Sequence, residues 1–448
     1  MTSPQRAVTD LDAYLHGQLI GTFHKVDTYR ATFTYTPADA GGEEGIRSDL
    51  AQPISLGLPC TGKHVNAMAY LAGLLPDNEE TLARWGRNFS VDKTDIFGIL
   101  ARTGSDAPGA VQLIEAGGSL PTSTSAAVPL SDRALASLMA GVVSHTGVWA
   151  LPPGDESDRR GQFSLGGAQK KTALYRSPTG SWALPVGRFP STHIIKPAIS
   201  TAYSDSDINE ALCLAAMRHL GIRATEETIE TIGNVRASVI TRFDRITQPD
   251  GSVERLHHED FCQIFGIFPQ RKYAAEGGPT APDIARFIGA VAGSDEQLEF
   301  VRQLAFNVYA FATDAHGKNF SLVETPDVIQ LAPAYDVASY APYLPLDEGQ
   351  PLRRMRLAMP IGGKNRFEAM SVSAWASFAR SSGIDEDRVL GIARWVKGNI
   401  GEALAAAISE LSAADPLVGD VGATLVDAIG HLQQIADEAM RSHGAEPV

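Results

Sequence analysis

Cysteine is scarce: Cys60, Cys213 and Cys262 are the only three in 448 residues, odd in number and far apart. They exclude a disulfide framework and a cysteine-rich zinc site, and they predict a reducing compartment. No stretch reaches the roughly 18 unbroken apolar residues of a membrane span, and the opening MTSPQRAVTDLDAYL has no apolar core of signal-peptide length. Positive charge is in deficit, with 38 Lys and Arg against 52 Asp and Glu and a formal charge of -14. Such an excess repels phosphate backbones and argues against autonomous nucleic-acid binding, leaving DNA to a partner. No fixed-period repeat is found, which sets aside solenoids and propellers. These absences predict a soluble cytoplasmic protein, and the length is too great for one core, so two or three domains are expected.

The pattern along the chain changes from strand-rich to helix-rich near residue 250. YLHGQLIGTF (14–23) carries a His-Gly corner between apolar residues, and ATFTYT (31–36) alternates as a half-buried strand. Helical patterns cover 64–75 and 79–86, a strand covers 109–115, and the small, hydroxylic run at 116–129 has linker composition. A hairpin is predicted around the turn at 178–180, with strands at 191–198 and 237–243 and a helix over 209–222. Beyond 255 the expected elements are almost wholly helices: 281–293, 296–312, 371–382, 385–412 and 420–442.

Residues 313–322, TDAHGKNFSL, follow a helical stretch with apolar Leu298, Val301, Leu304, Ala305, Val308 and Phe311 at buried-face spacing. A helix-ending loop, with Gly317 as cap and Asp314 and Asn319 as turn formers, accounts for these residues. So does the D-x-x-x-x-N loop of a phosphotransferase, in which the Asp accepts a hydroxyl proton and the Asn ligates magnesium. Three other features bear on the choice. Gly166 and Gly167 in SLGGAQKK would let the main chain approach an anion, although paired glycines also serve hairpins. Lys196 ends the apolar strand HIIK, as does the lysine of the V-A-I-K strand in kinases, although an edge-strand lysine reads the same. Glu210 could pair with Lys196 or serve as a first-turn helix acid. Asp336, in LAPAYDVAS, lies seventeen residues after Asn319 and would be a second magnesium ligand. The order of glycine hairpin, Lys, Asp-x4-Asn and Asp favours phosphoryl transfer.

The runs SLGGAQKKTAL, THIIKP, NEALCLAAMRHLGI, VRASVITRFDR, RLHHEDFCQIFG, TDAHGKNFSL, LAPAYDV and LAMPIGGKNRF resemble, in order, those of the HipA family of serine/threonine kinases, the toxin halves of HipBA toxin–antitoxin modules. YLHGQLIGTF, PISLGLP, LAGLLPDNEETLARW and GAVQLI resemble that family's first subdomain. The resemblance implies an α+β, protein-kinase-like bilobal fold: a small α/β subdomain over 1–125, an N-lobe with antiparallel sheet over 126–250, and an all-α C-lobe over 251–448. It implies that Asp314 is the catalytic base, that Asn319 and Asp336 hold Mg2+, and that Lys196 faces the ATP phosphates. Gly166, Gly167, Ala168, Gln169 and Lys171 would form the ATP loop. Thr241 and Phe243, on the strand meeting adenine, would contact ATP, as would His316 and Lys318. Ser164 would be the autophosphorylated serine. A HipB-like helix-turn-helix antitoxin would be the partner, and a translation-related protein such as an aminoacyl-tRNA synthetase the substrate. Two positions depart from the family pattern: Lys170, where an acid or proline is usual, and Thr241, where an acid is frequent.

Two other functions predict different residues. A catalytically weak relative acting mainly as co-repressor with a DNA-binding antitoxin would lack one of Lys196, Asp314, Asn319 or Asp336. A small-molecule kinase would lack Ser164 and the amino-terminal subdomain. His257, His258, Glu259 and Asp260 are expected at a solvated strand-to-helix corner, because consecutive residues rarely converge on one ion without a group from elsewhere. Trp182, Trp375 and Trp395 are expected in the core.

Overall fold

The computed structural model describes residues 7–36, 67–118, 126–144, 170–198, 203–325, 327–345, 352 and 355–448. The chain divides into two units, the first drawn from Met1–Ile195, Arg242–Gln270 and Leu322–Val328, the second from Lys196–Thr241, Arg271–Ser321 and Ile329–Val448.

In the first unit, β1 (Asp10–Leu15) and β2 (Gln18–Lys25) form a hairpin whose His16-Gly17 turn takes φ of 48° and 82°. Positive φ at both turn positions matches the right-handed twist of the strands, and Gly17 accepts it without strain. β3 (Ala31–Tyr35), α1 (Ala67–Gly73), α2 (Glu79–Phe89), α3 (Ile96–Thr103) and β4 (Val111–Glu115) complete an antiparallel sheet of order β3-β2-β1-β4 with its helices. Alternation along β1 and β2 sends Leu11, Ala13, Leu15 and Phe23 into a core shared with Tyr70, Phe97 and Leu100. β5 (Ala126–Pro129), α4 (Asp132–Ser144), β6 (Thr172–Arg176), β7 (Trp182–Val186) and β8 (His193–Pro197) follow. β5 pairs with β7, β7 with β6, and β6 with the start of β8, all antiparallel. The chain enters the second unit at Lys196.

There α5 (Ser206–His219) precedes a hairpin of β9 (Glu227–Ile232) and β10 (Val235–Thr241). β11 (Arg245–Thr247), β12 (Val253–Arg255), β13 (His257–Asp260) and α6 (Phe261–Ile264) belong to the first unit. α7 (Ala281–Val291) and α8 (Ser294–Tyr309) return to the second; β14 (Ser321–Glu324) runs from Leu322 on in the first unit, and β15 (Ile329–Leu331) is again in the second. α9 (Val372–Ser382), α10 (Glu386–Leu411) and α11 (Leu417–Ser442) finish it. The long α10 is the hub, packing against α5, α8, α9 and α11. Its buried stripe runs Val389, Ala393, Val396, Ile400, Ala403, Leu404, Ala407 and Leu411, a helical period with enough small residues for close approach. Where α11 meets it, a Cβ on Gly422 would stand 2.4 Å from the Ile408 side chain, so glycine permits this crossing. Among the described residues, no helix is long and apolar enough to cross a membrane.

Several expectations are corrected. The strands β9, β13 and β14 appear where none was expected, because short strands lack room for a periodic signal. Trp395 is 44% exposed on α10, whereas Trp375 is fully buried. The solvated corner at His257–Asp260 is instead buried, with His257 and Glu259 at 0% exposure. Gly317 does not cap the preceding helix. α8 ends at Tyr309 with Ala310 as cap, and Phe311 then turns the chain with a φ of 57°.

Ion pairs tie three separate segments of the first unit. Arg242 and Arg245 both donate to Asp244 at 2.8 Å, Arg245 and Arg255 reach Asp106 at 3.1 and 3.2 Å, and Ser191 Oγ donates to Asp106 at 2.6 Å. Backbone carbonyls of Ser105, Ala107, Gly109 and Arg188 accept further guanidinium hydrogens, so the buried charges are closely hydrogen-bonded. Burial alone would raise the Asp106 and Asp244 carboxyls, but the arginines outweigh it and hold both below the usual range. Depressed carboxyls stabilise the fold above their unfolded pKa, about 3.9, and lose that contribution as pH falls toward the folded value. Asp244→Asn is therefore expected to cost about 3–5 kcal/mol at pH 7. Denaturant midpoints at stepped pH check this, and the gap from wild type should narrow as pH drops below about 4.

Candidate active site

Beyond α8, residues 314–319 fold as a tight loop closed by its own side chains. The Asn319 amide Nδ2 donates to the Asp314 carbonyl at 2.8 Å, and the Asn319 N–H donates to the His316 carbonyl at 2.9 Å. Gly317 sits in the short 3-10 turn Gly317–Asn319, its N–H donating to the Lys272 carbonyl at 3.2 Å. The tyrosine hydroxyl of Tyr335 donates to the Lys318 carbonyl at 2.8 Å and also meets Ser321 Oγ. With its nitrogen committed, Asn319 keeps its oxygen for another partner. Asp314, by contrast, leaves its carboxylate 59% exposed.

Tyr273 was not singled out in the sequence, yet its hydroxyl donates to Asp314 Oδ1 at 2.5 Å. Its ring packs edge-on against His316, with centroids 5.1 Å apart. His316 is buried, and burial drives its pKa down to about 4, so the ring is neutral at physiological pH. Its Nε2 lies 3.7 Å from Asp314 Oδ2, too far for a hydrogen bond, and its buried Nδ1 has no hydrogen-bond partner. Asp314 and Asp336 oppose the fall in its pKa, and Lys272 and Lys318 add to it.

The second half of the site centres on Lys196. Its Nζ is 2.7 and 2.9 Å from the two Glu210 oxygens and 2.9 Å from Asp336 Oδ1. Glu210 therefore pairs with the lysine and lies in the second turn of α5, not the first as expected. Burial would strip the lysine of its proton, but Asp336, Glu210 and Glu227 reverse the balance and raise its pKa. Glu227 of β9, another residue missed in the sequence, is fully buried beside this pair. Burial, then Glu210, push its pKa well up. One ammonium is thus shared between the Glu210 and Asp336 carboxylates, a cluster of acids that can also receive a cation.

Asp336 adopts φ 58°, a conformation that non-glycine residues rarely take. The segment after it is anchored by Asn209 of α5, which donates to the Ser339 carbonyl at 2.8 Å and accepts its N–H at 2.9 Å. Asn209 is a further functional candidate missed by sequence; the signal was a polar residue on an otherwise apolar helix face. Of the remaining predicted residues, Thr241 closes β10, exposed, its N–H donating to the Glu226 carbonyl at 2.9 Å. Phe243 lies beyond the strand end, edge-on to His258 at 4.9 Å. Lys318 is buried, and Lys171 is half-buried just before β6. Lys170 Nζ donates to the Val143 carbonyl at 2.9 Å, near the end of α4. Ser164, Gly166, Gly167, Ala168 and Gln169 lie outside the described residues.

Asn319 and Asp336 are hard oxygen donors, the set magnesium prefers, and the committed Asn319 nitrogen and exposed Asp336 carboxylate fit that use. The Tyr273 contact predicts a positioning role. Tyr273→Phe should lower kcat about 10- to 100-fold with KM for ATP little changed, the loss of one hydrogen bond to a charged group. Steady-state kinetics against ATP check it, and an unchanged kcat would remove Tyr273 from the site.

Comparison with known proteins gives a consistent result. Residues 163–404 match the family model described as the HipA-like C-terminal domain, and residues 11–114 match the HipA N-terminal domain. Y4mE, a protein of Sinorhizobium fredii, is 29% identical over 386 residues, 84% of this chain and 86% of its own length. The serine/threonine-protein kinase toxin HipA of Shewanella oneidensis is 26% identical over 384 residues, 81% of this chain and 82% of its own. Among solved structures, a chain of the Shewanella oneidensis MR-1 complex of HipA, HipB and operator DNA superposes with a TM-score of 0.73 at 21% identity. The superposition covers 96% of this chain and 99% of that one. The kinase-like α+β fold implied by the sequence is the fold found.

Proposed function

Because the chain belongs to the HipA family of serine/threonine kinase toxins, we propose that it transfers the γ-phosphoryl group of ATP to a protein serine or threonine at the site built from Lys196, Asp314, Asn319 and Asp336. The observation that carries this reading is the pair of linked contacts: Asn319 clamps the Asp314 backbone, and Lys196 is pinned between Glu210 and Asp336.

In this reading Asp314 orients the substrate hydroxyl and accepts its proton, with Tyr273 holding the carboxylate in place. Neutral His316 offers its unpartnered Nδ1 toward nucleotide without adding charge. Lys196 neutralises phosphate oxygens, and Glu210 keeps its ammonium from swinging away. Asn319 and Asp336 would hold magnesium, which when bound offsets charge on the transferring phosphoryl group. Thr241, Phe243 and Lys318 belong to the nucleotide surface, and Gly166, Gly167, Ala168, Gln169 and Lys171 to the loop over the phosphates. Phosphorylation of Ser164 beside that loop adds roughly two negative charges and opposes ATP binding. The same proposal includes a cytoplasmic setting, a HipB-like antitoxin that supplies the basic DNA-reading surface this acidic chain lacks, and a translation-related substrate whose modification arrests growth.

Purified protein incubated with labelled ATP and magnesium tests it. Wild type is expected to label itself on Ser164, with Asp314→Asn slower by about 10²- to 10⁴-fold. Absence of label on wild type, or equal label on the variant, would contradict the assignment.

A further inference from the structure

The run LAMPIGGKNRF (357–367) supplies none of the residues assigned above, yet its charge is unlike that of the rest of the chain. Residues 353–366 hold five basic side chains and no acid, in a protein whose formal charge is -14. Met355, Leu357, Met359 and Ile361 are 1, 8, 2 and 0% exposed, the alternation of an extended segment with one face on the core. Arg356 falls on the other face and is exposed. Ile361 and Lys364 then exchange backbone hydrogen bonds of 2.8 and 2.9 Å around Gly362 and Gly363, whose φ values are 53° and 75°. Positive φ at both positions makes a two-residue turn that glycine accepts without strain, and Lys364, Asn365 and Arg366 leave it exposed.

This turn is held rigidly, and its supports lead to the catalytic loop within the second unit. A Cβ on Gly362 would stand 2.2 Å from the Ala374 carbonyl oxygen, so the tip lies directly on α9. Before the turn, the Ala358 carbonyl accepts the N–H of Ala274 at 3.4 Å, one residue after Tyr273. After it, Phe367 is buried against Phe311 with ring centroids 5.1 Å apart, three residues before Asp314. The basic segment is thereby tied to the tyrosine that donates to the Asp314 carboxylate and to the chain that leads into Asp314.

Two cations on this side have no acid beside them. Among the described residues, Lys364 and Arg271 form no ion pair; the Arg271 Nε hydrogen goes to the Glu276 carbonyl at 3.0 Å. Both side chains are exposed. Arg271 precedes Lys272, whose carbonyl accepts the Gly317 N–H at 3.2 Å and whose ammonium lies 5.6 Å from the centre of the Tyr273 ring. Arg366 is partly neutralised by Glu368, 3.3 Å away.

We infer that this segment, with Arg271, receives the protein substrate beside its acceptor serine or threonine and selects acidic side chains there. The inference rests on Asp314 being the base: a hydroxyl that reaches Asp314 brings its flanking residues to the elements built around that loop. Nucleic acid is another anion such a face could meet. Its long run of phosphates is repelled by a net charge of -14, whereas a short acidic segment needs a few local cations.

The full chain with magnesium and labelled ATP is given serine-centred peptides that differ in their flanking residues, acidic, neutral or basic, while label on Ser164 is followed in the same reaction. At subsaturating peptide, acidic sequences should be labelled at least about fivefold faster than basic ones, and the preference should shrink at high salt. Arg271→Glu combined with Lys364→Glu should abolish or reverse it through KM for peptide, with KM for ATP unchanged. If that double variant does not fold, Lys364→Ala, which should weaken the preference, and the salt dependence of wild type decide the matter. Label on Ser164 with no peptide labelled, no preference among peptides, or a preference for basic ones overturns the inference and leaves the kinase reading intact. No label anywhere overturns both. Tighter binding of a single-stranded oligonucleotide than of an acidic peptide, lost in the double variant, assigns the face to nucleic acid and overturns the inference as well.

Discussion

The Lys196 ammonium lies 2.7 Å from Glu210 and 2.9 Å from Asp336, with Glu227 buried nearby and its pKa pushed well up. Asn209, one residue before Glu210 on α5, holds Ser339 just after Asp336 and so ties the two acids' segments together. A lysine only 12% exposed keeps its charge there because carboxylates surround it. Those carboxylates, in turn, tolerate one another because the ammonium sits between Glu210 and Asp336. If Glu210 did not engage the lysine through both oxygens, the ammonium would have Asp336 as its nearest charged partner and the two would neutralise each other. Shared between two acids, the lysine leaves Asp336 partly available.

The backbone pays locally for placing these groups. Asp336 and Phe311 both sit in the left-handed region, where a side chain is unfavourable by about 1–3 kcal/mol, and each is held by later segments. Asn209 grips Ser339 with two hydrogen bonds, and the Tyr340 N–H donates to the Phe311 carbonyl at 3.0 Å. The fully buried stripe of α10, against which α5 and α8 pack, fixes the helices that carry Glu210 and lead into the Asp314 loop. Rigid helices with tight loops at their ends suit a reaction that depends on positioning more than on covalent chemistry.

Much of this was legible in the sequence, for reasons of period and spacing. The helical stripe from Leu298 to Phe311 is buried at every predicted position. The hairpin around His16-Gly17 and the strand that carries Lys196 follow from turn chemistry and alternation. Lys196, Asp314, Asn319 and Asp336 could be singled out as candidates because phosphoryl transfer calls for those types in that order. Tyr273, Glu227 and Asn209 were not: Tyr273 and Asn209 reach their partners across 41 and 130 residues, and Glu227 meets Ser238 across a strand pair, so no local pattern marks any of them. The burial of His257 and Glu259 was misread for the same reason: a polar run looks solvated until Glu324, sixty-five residues later, is placed beside it.

Calorimetric titration of ATP into wild type and Asp336→Asn, each with and without magnesium, tests the central claim most directly. Wild type should bind ATP tightly only when magnesium is present, and the variant should lose that dependence while keeping its fold. Equal magnesium dependence in both proteins, or magnesium-independent binding by wild type, would contradict the assignment of Asp336 beside Lys196 as the cation-holding carboxylate.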